Sequence, residues 1–354
     1  MGEIPDQVSA ELTTSIEPDV TVVMSPRERF SGIDLSINSL YEAPGARFEF
    51  ICVDGGGPAS IRRYLVAEAR RRGFHLIRTK HYLTPNEARN LAIPEVKTKY
   101  IAFVDNDVIF APDWLKALTR CADETGADIV TPIVCYGKPV HTKIHFAGGT
   151  ATFASRSGKR TIKTAHRLIE RQLSEVKGEL LREPTELAEF HCVLVRRDVF
   201  ERFGPLDGKL KSMHEHIDLC LTVRNAGGTV MFEPASVVTN LWEMPLRLSD
   251  LPYFFCRWND DWASESRMHF ERKWDVRFSD DSARIFVTWH RGEACSRARG
   301  LARKFVGRRI SGTLYEKSVD WLIRLAQWRR QWHMQQLHRA REYPPSGRIC
   351  SPRE

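Results

Sequence analysis

The sequence predicts an α/β fold in which a mainly parallel central sheet carries helices on both faces. Between Val20 and Pro132, short apolar runs alternate with amphipathic helical segments, the pattern of strands joined by crossover helices. Each run stops at a turn or polar cluster, and two stop at aspartates. At 354 residues with 42% hydrophobic composition the chain can bury a full core, and its length suits one large or two modest domains.

The runs Val20–Met24, Phe48–Val53, Phe74–Arg78 and Tyr100–Val104 read as four strands, with Asp128–Thr131 a fifth. Helices are expected over Ile33–Tyr41, Ser60–Arg72, Pro85–Ile93 and Pro112–Glu124, the last opening on a proline that the first helical turn tolerates. From Cys135 to Lys159 the chain is rich in Gly, Thr and His. A charged helical stretch, Thr164–Leu181, then leads to a strand over Leu187–Val195. A helix over Met213–Ala226 is bounded by Ser212 in front and Gly227-Gly228 behind, where glycine can take the left-handed turn that ends helices. Two strands, Thr229–Phe232 and Ser236–Thr239, precede an aromatic segment from Trp242 to Trp262. This organisation divides the chain into a flexible N-terminal segment (1–19), a main domain (20–280, with halves 20–133 and 134–280) and a basic helical C-terminal extension (281–354).

Composition narrows the setting. The first 19 residues are polar and acidic, without the basic start and apolar run of a secretory signal, and no stretch approaches the roughly 18 apolar residues of a membrane-spanning helix. Eight cysteines lie scattered without a C-x-x-C pair, which signals neither a zinc site nor a disulfide framework and leaves them as reduced, structural thiols. A cytoplasmic location is expected. From Ala283 to Glu354 there are 16 Lys+Arg against 5 Asp+Glu, so the net charge of +8 belongs to the tail and the rest of the chain stands at −3. Trp321, Leu325, Trp328 and Trp332 fall on one side of a helix there, with Arg324, Arg329 and Arg330 off that stripe. Such a helix either lies peripherally on an anionic membrane surface, the inner membrane face, or docks on the main domain with its basic face solvated. Nucleic acid is not expected as a partner, because no recognised RNA or DNA module accompanies the basic residues.

In open α/β sheets ligands bind beyond the carboxyl ends of the strands. Asp54, followed by Gly55-Gly56-Gly57, closes one apolar run, and Asp105-Asn106-Asp107 closes another. Carboxylates at the mouth of a buried strand cost desolvation unless a cation or donor compensates them. Asp105 and Asp107 offer two hard oxygen ligands, enough to share one Mg²⁺ or Mn²⁺ that completes its shell with water and substrate phosphates. Asn106 and Asp107 could equally form an Asx turn capping the next helix.

Val20 to Trp114 resembles the donor-binding half of family 2 glycosyltransferases, which have the GT-A (Rossmann-like nucleotide-diphospho-sugar transferase) fold. The landmarks are Thr21-Val22-Val23-Met24, the strand ending Val53-Asp54-Gly55, the segment Asn86-Glu87-Ala88-Arg89-Asn90, and Tyr100 through Asp107. Leu194 to Glu233, with Arg197, Phe203-Gly204-Pro205-Leu206-Asp207, Glu215-His216-Ile217-Asp218-Leu219 and Ala226-Gly227-Gly228, is similar to the acceptor-side half. The resemblance implies an inverting, metal-assisted transfer of a sugar from a nucleotide-sugar donor to a hydroxyl on a glycan, lipid or small molecule, as in polysaccharide or glycolipid synthesis. It further implies that Asp54 hydrogen-bonds the nucleobase, that Asp105 meets the ribose or metal-bound phosphate, and that Asp107 ligates Mn²⁺ or Mg²⁺ directly. Arg89 becomes a phosphate or nucleotide contact, with a salt bridge inside its helix as the alternative, and Asn90 a structural residue.

Transfer requires one general base. In the family it is a carboxylate of a Glu-Asp pair opening the helix, where this chain reads Glu215-His216. Glu215 is the expected base and His216 the alternative. Ser212-x-x-Glu215 also fits a capping box, which would give Glu215 a purely structural role. A His214, Glu215, His216 and Asp218 metal cluster is disfavoured, since helical neighbours one or two apart do not share a face. At Asn240 family members often carry a histidine that completes the metal shell; an amide oxygen is a weaker ligand. His145 and His191 are expected to be satisfied core or surface histidines. The aromatic segment could form a platform for a sugar ring, with core packing the other use, and Trp258 and Trp262 four apart on one helix. His216 and Asn240 together motivate a second function, a non-catalytic member that binds a sugar nucleotide or glycan.

Overall fold

The structure, a computed structural model, describes residues 18–279 apart from 26, 43, 157 and 212, together with Lys317, Trp321, Arg324, Leu325 and Trp328. The main sheet starts with β1 (Val20–Ser25), β2 (Glu49–Gly55), β3 (His75–Thr79) and β4 (Tyr100–Asp105), all parallel and adjacent in the order β3-β2-β1-β4. Burial of every residue of β1 and β4 explains their unbroken apolar runs, because strands covered on both faces have no solvent side to mark with polar residues. Helices α1 (Ile33–Glu42), α2 (Ala59–Arg72) and α3 (Pro85–Ala92) occupy the connections, each within two residues of the bounds read from sequence.

Helix α3 begins with a capping box. Thr84 Oγ1 accepts from the Glu87 amide at 3.4 Å, and Glu87 Oε2 accepts from the Thr84 amide at 2.7 Å, with Pro85 in the first turn. The box fixes the direction of a helix that carries Asn86, Arg89 and Asn90 inward. Asn90 clamps the 206 backbone from both sides, donating to Leu206 O at 2.7 Å and accepting from Leu206 N at 2.9 Å, which is the structural role expected of it. Thr84→Ala is expected to cost about 1 kcal/mol of stability, read as a lower urea midpoint at unchanged slope.

Beyond β4 the sheet departs from the sequence reading. It is mixed, because β11 (Cys192–Arg196) inserts antiparallel between β4 and β6 (Ile129–Tyr136); with β10 (Glu183–Pro184) and β12 (Val230–Asn240) the main path runs β10-β12-β6-β11-β4-β1-β2-β3. The expected fifth strand is therefore β6, separated from β4 by a strand that arrives some sixty residues later in the chain. Short β5 (Val108–Phe110) leads into α4 (Trp114–Thr125), whose Trp114 is wholly buried and stacks on Phe110 with centroids 4.4 Å apart. β7 (Lys143–Phe146) pairs with β6, and β8 (Gly149–Arg156) with β9 (Lys159–His166) forms a separate hairpin.

The helix expected over Thr164–Leu181 shrinks to α5 (Leu173–Val176). Its intended first turns are drawn into long-range pairing instead: Arg167 N donates to Gly148 O, Glu170 N to Ile144 O, and Ile144 N to Arg171 O. The strand expected from Leu187 starts only at Cys192, and residues 185–191 run irregularly toward the site. The two strands after Gly228 are one, β12 (Val230–Asn240), with a register shift between Glu233 and Val237 where Pro234 cannot donate to the ladder. An edge strand β10 (Glu183–Pro184) pairs with β12, and α6 (Asp198–Phe203) follows β11.

Helix α7 runs Glu215–Asn225, so it starts later than expected. Its N-cap is His214 at φ 68°, with no side-chain cap, and Glu215 is the first helical residue. Ser212 lies outside the described residues. Glu215 therefore does not hold the third helical position that a capping box needs. Trp258 and Trp262 do not share a helix either: Trp258 ends α8 (Leu251–Arg257), and Trp262 lies in α9 (Asp260–Trp274), which Asn259 caps by accepting from the Trp262 amide at 2.9 Å. A two-residue strand, β13 (Arg277–Phe278), pairs with β9. Cys52, Cys121, Cys135, Cys192, Cys220 and Cys256 are buried free thiols, while Cys295 and Cys350 fall outside the described residues. No helix among the described residues is long and apolar enough to cross a membrane.

Candidate functional site

The ends of three adjacent parallel strands assemble the site. Ser25 pairs with Asp105 across β1 and β4, and Asp54 sits two residues beyond the Cys52–Met24 pair of β2 and β1. Asp54 is buried in its glycine loop, accepting from Gly57 N at 2.8 Å, with Arg78 Nε 3.5 Å away. Burial raises its pKa against the pull of Gly57 and Arg78. The loop needs its glycines. Gly56 has φ 76°, and a Cβ there would stand 2.7 Å from the His81 backbone.

Asp105 is fully buried and is the hub. Its Oδ2 accepts from Arg27 Nη1 at 2.8 Å and faces His191 Nδ1 at 2.8 Å, while Arg89 Nη2 lies 3.6 Å from Oδ1. Burial opposes its charge, but Arg27, His191 and Arg89 outweigh burial and hold its pKa below the ordinary range. Asp107, 3% exposed, is the opposite case: burial and then the neighbouring Asp105 charge raise its pKa, despite Arg29, His191 and Arg27. Asn240, at the end of β12, donates from Nδ2 to Asp107 Oδ1 at 3.0 Å and stands 3.3 Å from His191 Nδ1. To ligate a cation its amide would have to present the oxygen instead. Asn106 accepts from Arg27 N at 2.8 Å and donates to Arg29 O at 3.2 Å, so it pins the loop after β1 and does not cap α4, whose N-cap is Asp113.

Arg89 is fully buried, with its guanidinium 3.7 Å from the Phe190 ring centroid and Nη1 donating to Asn86 Oδ1 at 3.1 Å. Burial lowers its pKa to about 10 even with Asp105 and Glu215 acting to raise it. Its ion-pair partner is Asp105 on β4, outside its own helix. Arg27 feels Asp105, Glu215 and Asp107, and these together raise its pKa against burial. Glu215 therefore belongs to the same electrostatic group.

Among the described residues several buried polar atoms in this group have no hydrogen-bond partner: Arg89 Nε and Nη2, Asp105 Oδ1 and Glu215 Oε2, although Arg89 Nη2 and Asp105 Oδ1 stand 3.6 Å apart as an ion pair. Buried polar atoms are ordinarily paired, and a cluster of exceptions of both signs marks a place where a polar ligand can supply the missing partners. Asp105, with its unpartnered Oδ1, and Asp107, a buried carboxylate crowded by the Asp105 charge, offer hard oxygens that suit a divalent cation, so the pair fits the Mn²⁺ or Mg²⁺ expected of it.

His216 lies beyond Glu215, its side chain 21% exposed and its Nε2 3.4 Å from Glu189 Oε1. Burial lowers its pKa, although Glu189 and Glu215 favour the charged form. Asp218 points elsewhere, accepting from Lys273 Nζ and Trp274 Nε1, both at 2.8 Å, and His214 stacks on Phe278 at 4.3 Å. No metal cluster forms from these helix neighbours. His145 is no isolated core histidine; its ring centroid lies 5.4 Å from that of His166 and 5.5 Å from that of His191, and burial followed by its neighbours' charge lowers its pKa to about 3.

Sequence reasoning missed Arg27, Arg29, Glu189 and His191. Arg27 follows the first strand directly, so applying the strand-end criterion to bases as well as acids would have found it. The sequence reading gives His191 as a satisfied core or surface histidine. It reaches the site because β11 runs antiparallel beside β4, which brings the residue before β11 next to the end of β4; Asp105 N donates to His191 O at 3.2 Å. The aromatic segment braces this loop. Glu28 is held by Arg257 and by Trp258 Nε1 at 3.3 Å, Ser31 Oγ donates to Asp250 Oδ2 at 2.6 Å, and Tyr253, Phe254, Phe255, Trp258 and Trp262 are buried, so these side chains form core and no sugar platform.

Comparison with known proteins gives three findings. Residues 21–204 match the family described as Glycosyl transferase family 2. A curated relative, the uncharacterized protein y4gI of Sinorhizobium fredii, is 24% identical over 240 residues, covering 66% of this chain and 26% of its own length, so the chain spans about a quarter of that relative. Similar solved structures include GalNAc-T7 with UDP, GalNAc and Mn²⁺, at 15% identity and TM-score 0.48 over 63% of this chain and 43% of that one. Another is the mannosyltransferase PcManGT from Pyrobaculum calidifontis in complex with GDP-Man and Mn²⁺, at 12% identity and TM-score 0.47 over 94% and 89% of the two chains.

Proposed function

The chain belongs to glycosyl transferase family 2, and from that premise we propose that it moves a sugar from a nucleotide-sugar donor to an acceptor hydroxyl with inversion. The observation that carries this reading is a buried electrostatic group beside the parallel strand ends, in which Arg27 and Arg89 feel both Asp105 and Glu215 and in which Arg89, Asp105 and Glu215 each keep a polar atom without a hydrogen bond among the described residues. A diphosphate answers the guanidinium donors, and a cation answers the carboxylates.

In this reading Asp54 accepts from the nucleobase, Arg27 and Arg89 receive phosphate oxygens, and Asp105 and Asp107 hold Mn²⁺ or Mg²⁺ with Asn240 beside them. The bound ion supplies Lewis-acid neutralisation of the diphosphate leaving group. Arg89, rigid between Phe190 and Asn86, orients the phosphates with little entropy left to lose. Glu215 takes the acceptor proton on its unpartnered Oε2 as the new bond forms on the face of the sugar opposite the leaving group. Purified protein incubated with a panel of nucleotide sugars and Mn²⁺ is expected to release nucleoside diphosphate slowly from one donor class, and faster once an acceptor is found. Tight donor binding without release under every acceptor would favour the non-catalytic binder.

The C-terminal segment is proposed to hold the enzyme on an anionic membrane surface. Its charge surplus supports this, as do Trp321 and Trp328, helical and each 61% exposed with Leu325 beside them. The full chain should co-sediment with vesicles containing phosphatidylserine and be released by salt. Equal binding to neutral vesicles, or binding to neither, would refute the proposal.

A further inference from the structure

Glu189 is 7% exposed, and two imidazoles converge on one of its oxygens: His166 Nε2 lies 3.2 Å from Oε1 and His216 Nε2 3.4 Å from it. The proposed transfer uses neither Glu189 nor His166. A third imidazole, His145 on β7, offers a ring nitrogen such that one ligating atom each from His145, His166 and Glu189 lie within 4.8 Å of one another. The three come from separate elements, β7, the end of β9 and the irregular run before β11, so only the folded chain brings them together.

We propose that His145, His166 and Glu189 form a second metal site that takes Zn²⁺. A buried carboxylate needs a compensating positive charge, and a neutral imidazole offers a lone pair but no charge. A divalent ion meets both needs at once, compensating Glu189 while accepting the imidazole lone pairs. Two histidines and one carboxylate, with a position left open, form a set that zinc favours, whereas Mg²⁺ prefers the all-oxygen pair Asp105 and Asp107. Ligands around a tetrahedral zinc stand roughly 3.4 Å apart, given zinc–ligand distances of about 2.0–2.1 Å. The His166–Glu189 contact at 3.2 Å already meets that spacing, and the His145 ligand atom lies within 4.8 Å of the other two, close enough for side-chain adjustment to complete the set. His191, two residues after Glu189, touches Asp105, so the zinc site adjoins the donor site without sharing a ligand with it.

The test titrates chelator-stripped full chain with Zn²⁺ by calorimetry in excess Mg²⁺, comparing wild type with His166→Ala, Glu189→Gln and Asp107→Ala. Wild type and Asp107→Ala should bind one equivalent more than the other two variants, or bind that equivalent at least tenfold tighter. Cobalt substituted for zinc should give visible ligand-field bands that both ligand variants lose. If circular dichroism shows His166→Ala to be misfolded, the near-isosteric Glu189→Gln decides. Zinc bound by the folded ligand variants with wild-type stoichiometry and affinity would overturn the site, as would loss of the equivalent in Asp107→Ala alone.

Discussion

Asp107→Ala is expected to lower metal-dependent sugar transfer by about 10²–10³-fold, comparable to removing one electrostatic contact aimed at charge that develops in a transition state. Two features make the residue decisive. Its carboxylate is 3% exposed beside the Asp105 carboxylate, so the pair is crowded with like charge unless something positive sits between or beside them. Asp105 already has Arg27 and His191, whereas the described hydrogen bond to the Asp107 carboxylate comes from the neutral amide of Asn240. Asp107 is thus the carboxylate with most to gain from a cation. Removing it relieves like-charge repulsion, so thermal stability without metal should not fall while activity does. Such opposed effects are those of a functional residue held against the fold's own preference. Initial rates at saturating donor across a Mn²⁺ titration provide the measurement. Full turnover in the variant would remove Asp107 from the metal site.

The second large effect concerns the base. Glu215→Gln should reduce kcat by about 10²–10⁴-fold with a much smaller change in donor affinity, since the amide keeps the shape but loses the ability to take a proton along with the charge felt by Arg27 and Arg89. His216→Ala is the necessary comparison. If activity survives Glu215→Gln and vanishes in His216→Ala, the proton goes to the imidazole, and Glu215 serves to hold Arg27 and Arg89, whose charge it already supports. The position of Glu215 sharpens the question. It opens α7 directly after His214, a non-glycine residue at φ 68°, and a backbone that visits the left-handed region with an imidazole is held there by packing, here the stack on Phe278.

Both experiments act on residues legible in the sequence, and that follows from where they sit. Asp54, Asp105 and Asp107 terminate apolar runs, and a strand covered on both faces advertises itself by composition alone. The first four strands and three helices were readable because composition and periodicity are properties of neighbours in the chain. Where local signals compete with distant hydrogen bonds, the reading failed. Residues 164–171 carry the charged composition of a helix, yet 164–166 pair with β8, and the amides of Arg167 and Glu170 go to Gly148 O and Ile144 O. Ser212-x-x-Glu215 has the letters of a capping box, yet the helix starts at Glu215 itself.

By itself, then, the sequence determined which strands lead to the site and which carboxylates wait at their ends, because burial and desolvation act on each residue type wherever it sits. Only the tertiary structure decided what those carboxylates face. The insertion of β11 against β4 brings His191 to Asp105 and sets Glu189 among His145, His166 and His216, and the braced loop after β1 delivers Arg27. Strand order and register are settled by cooperative packing across the whole sheet, and no window of neighbouring residues encodes them.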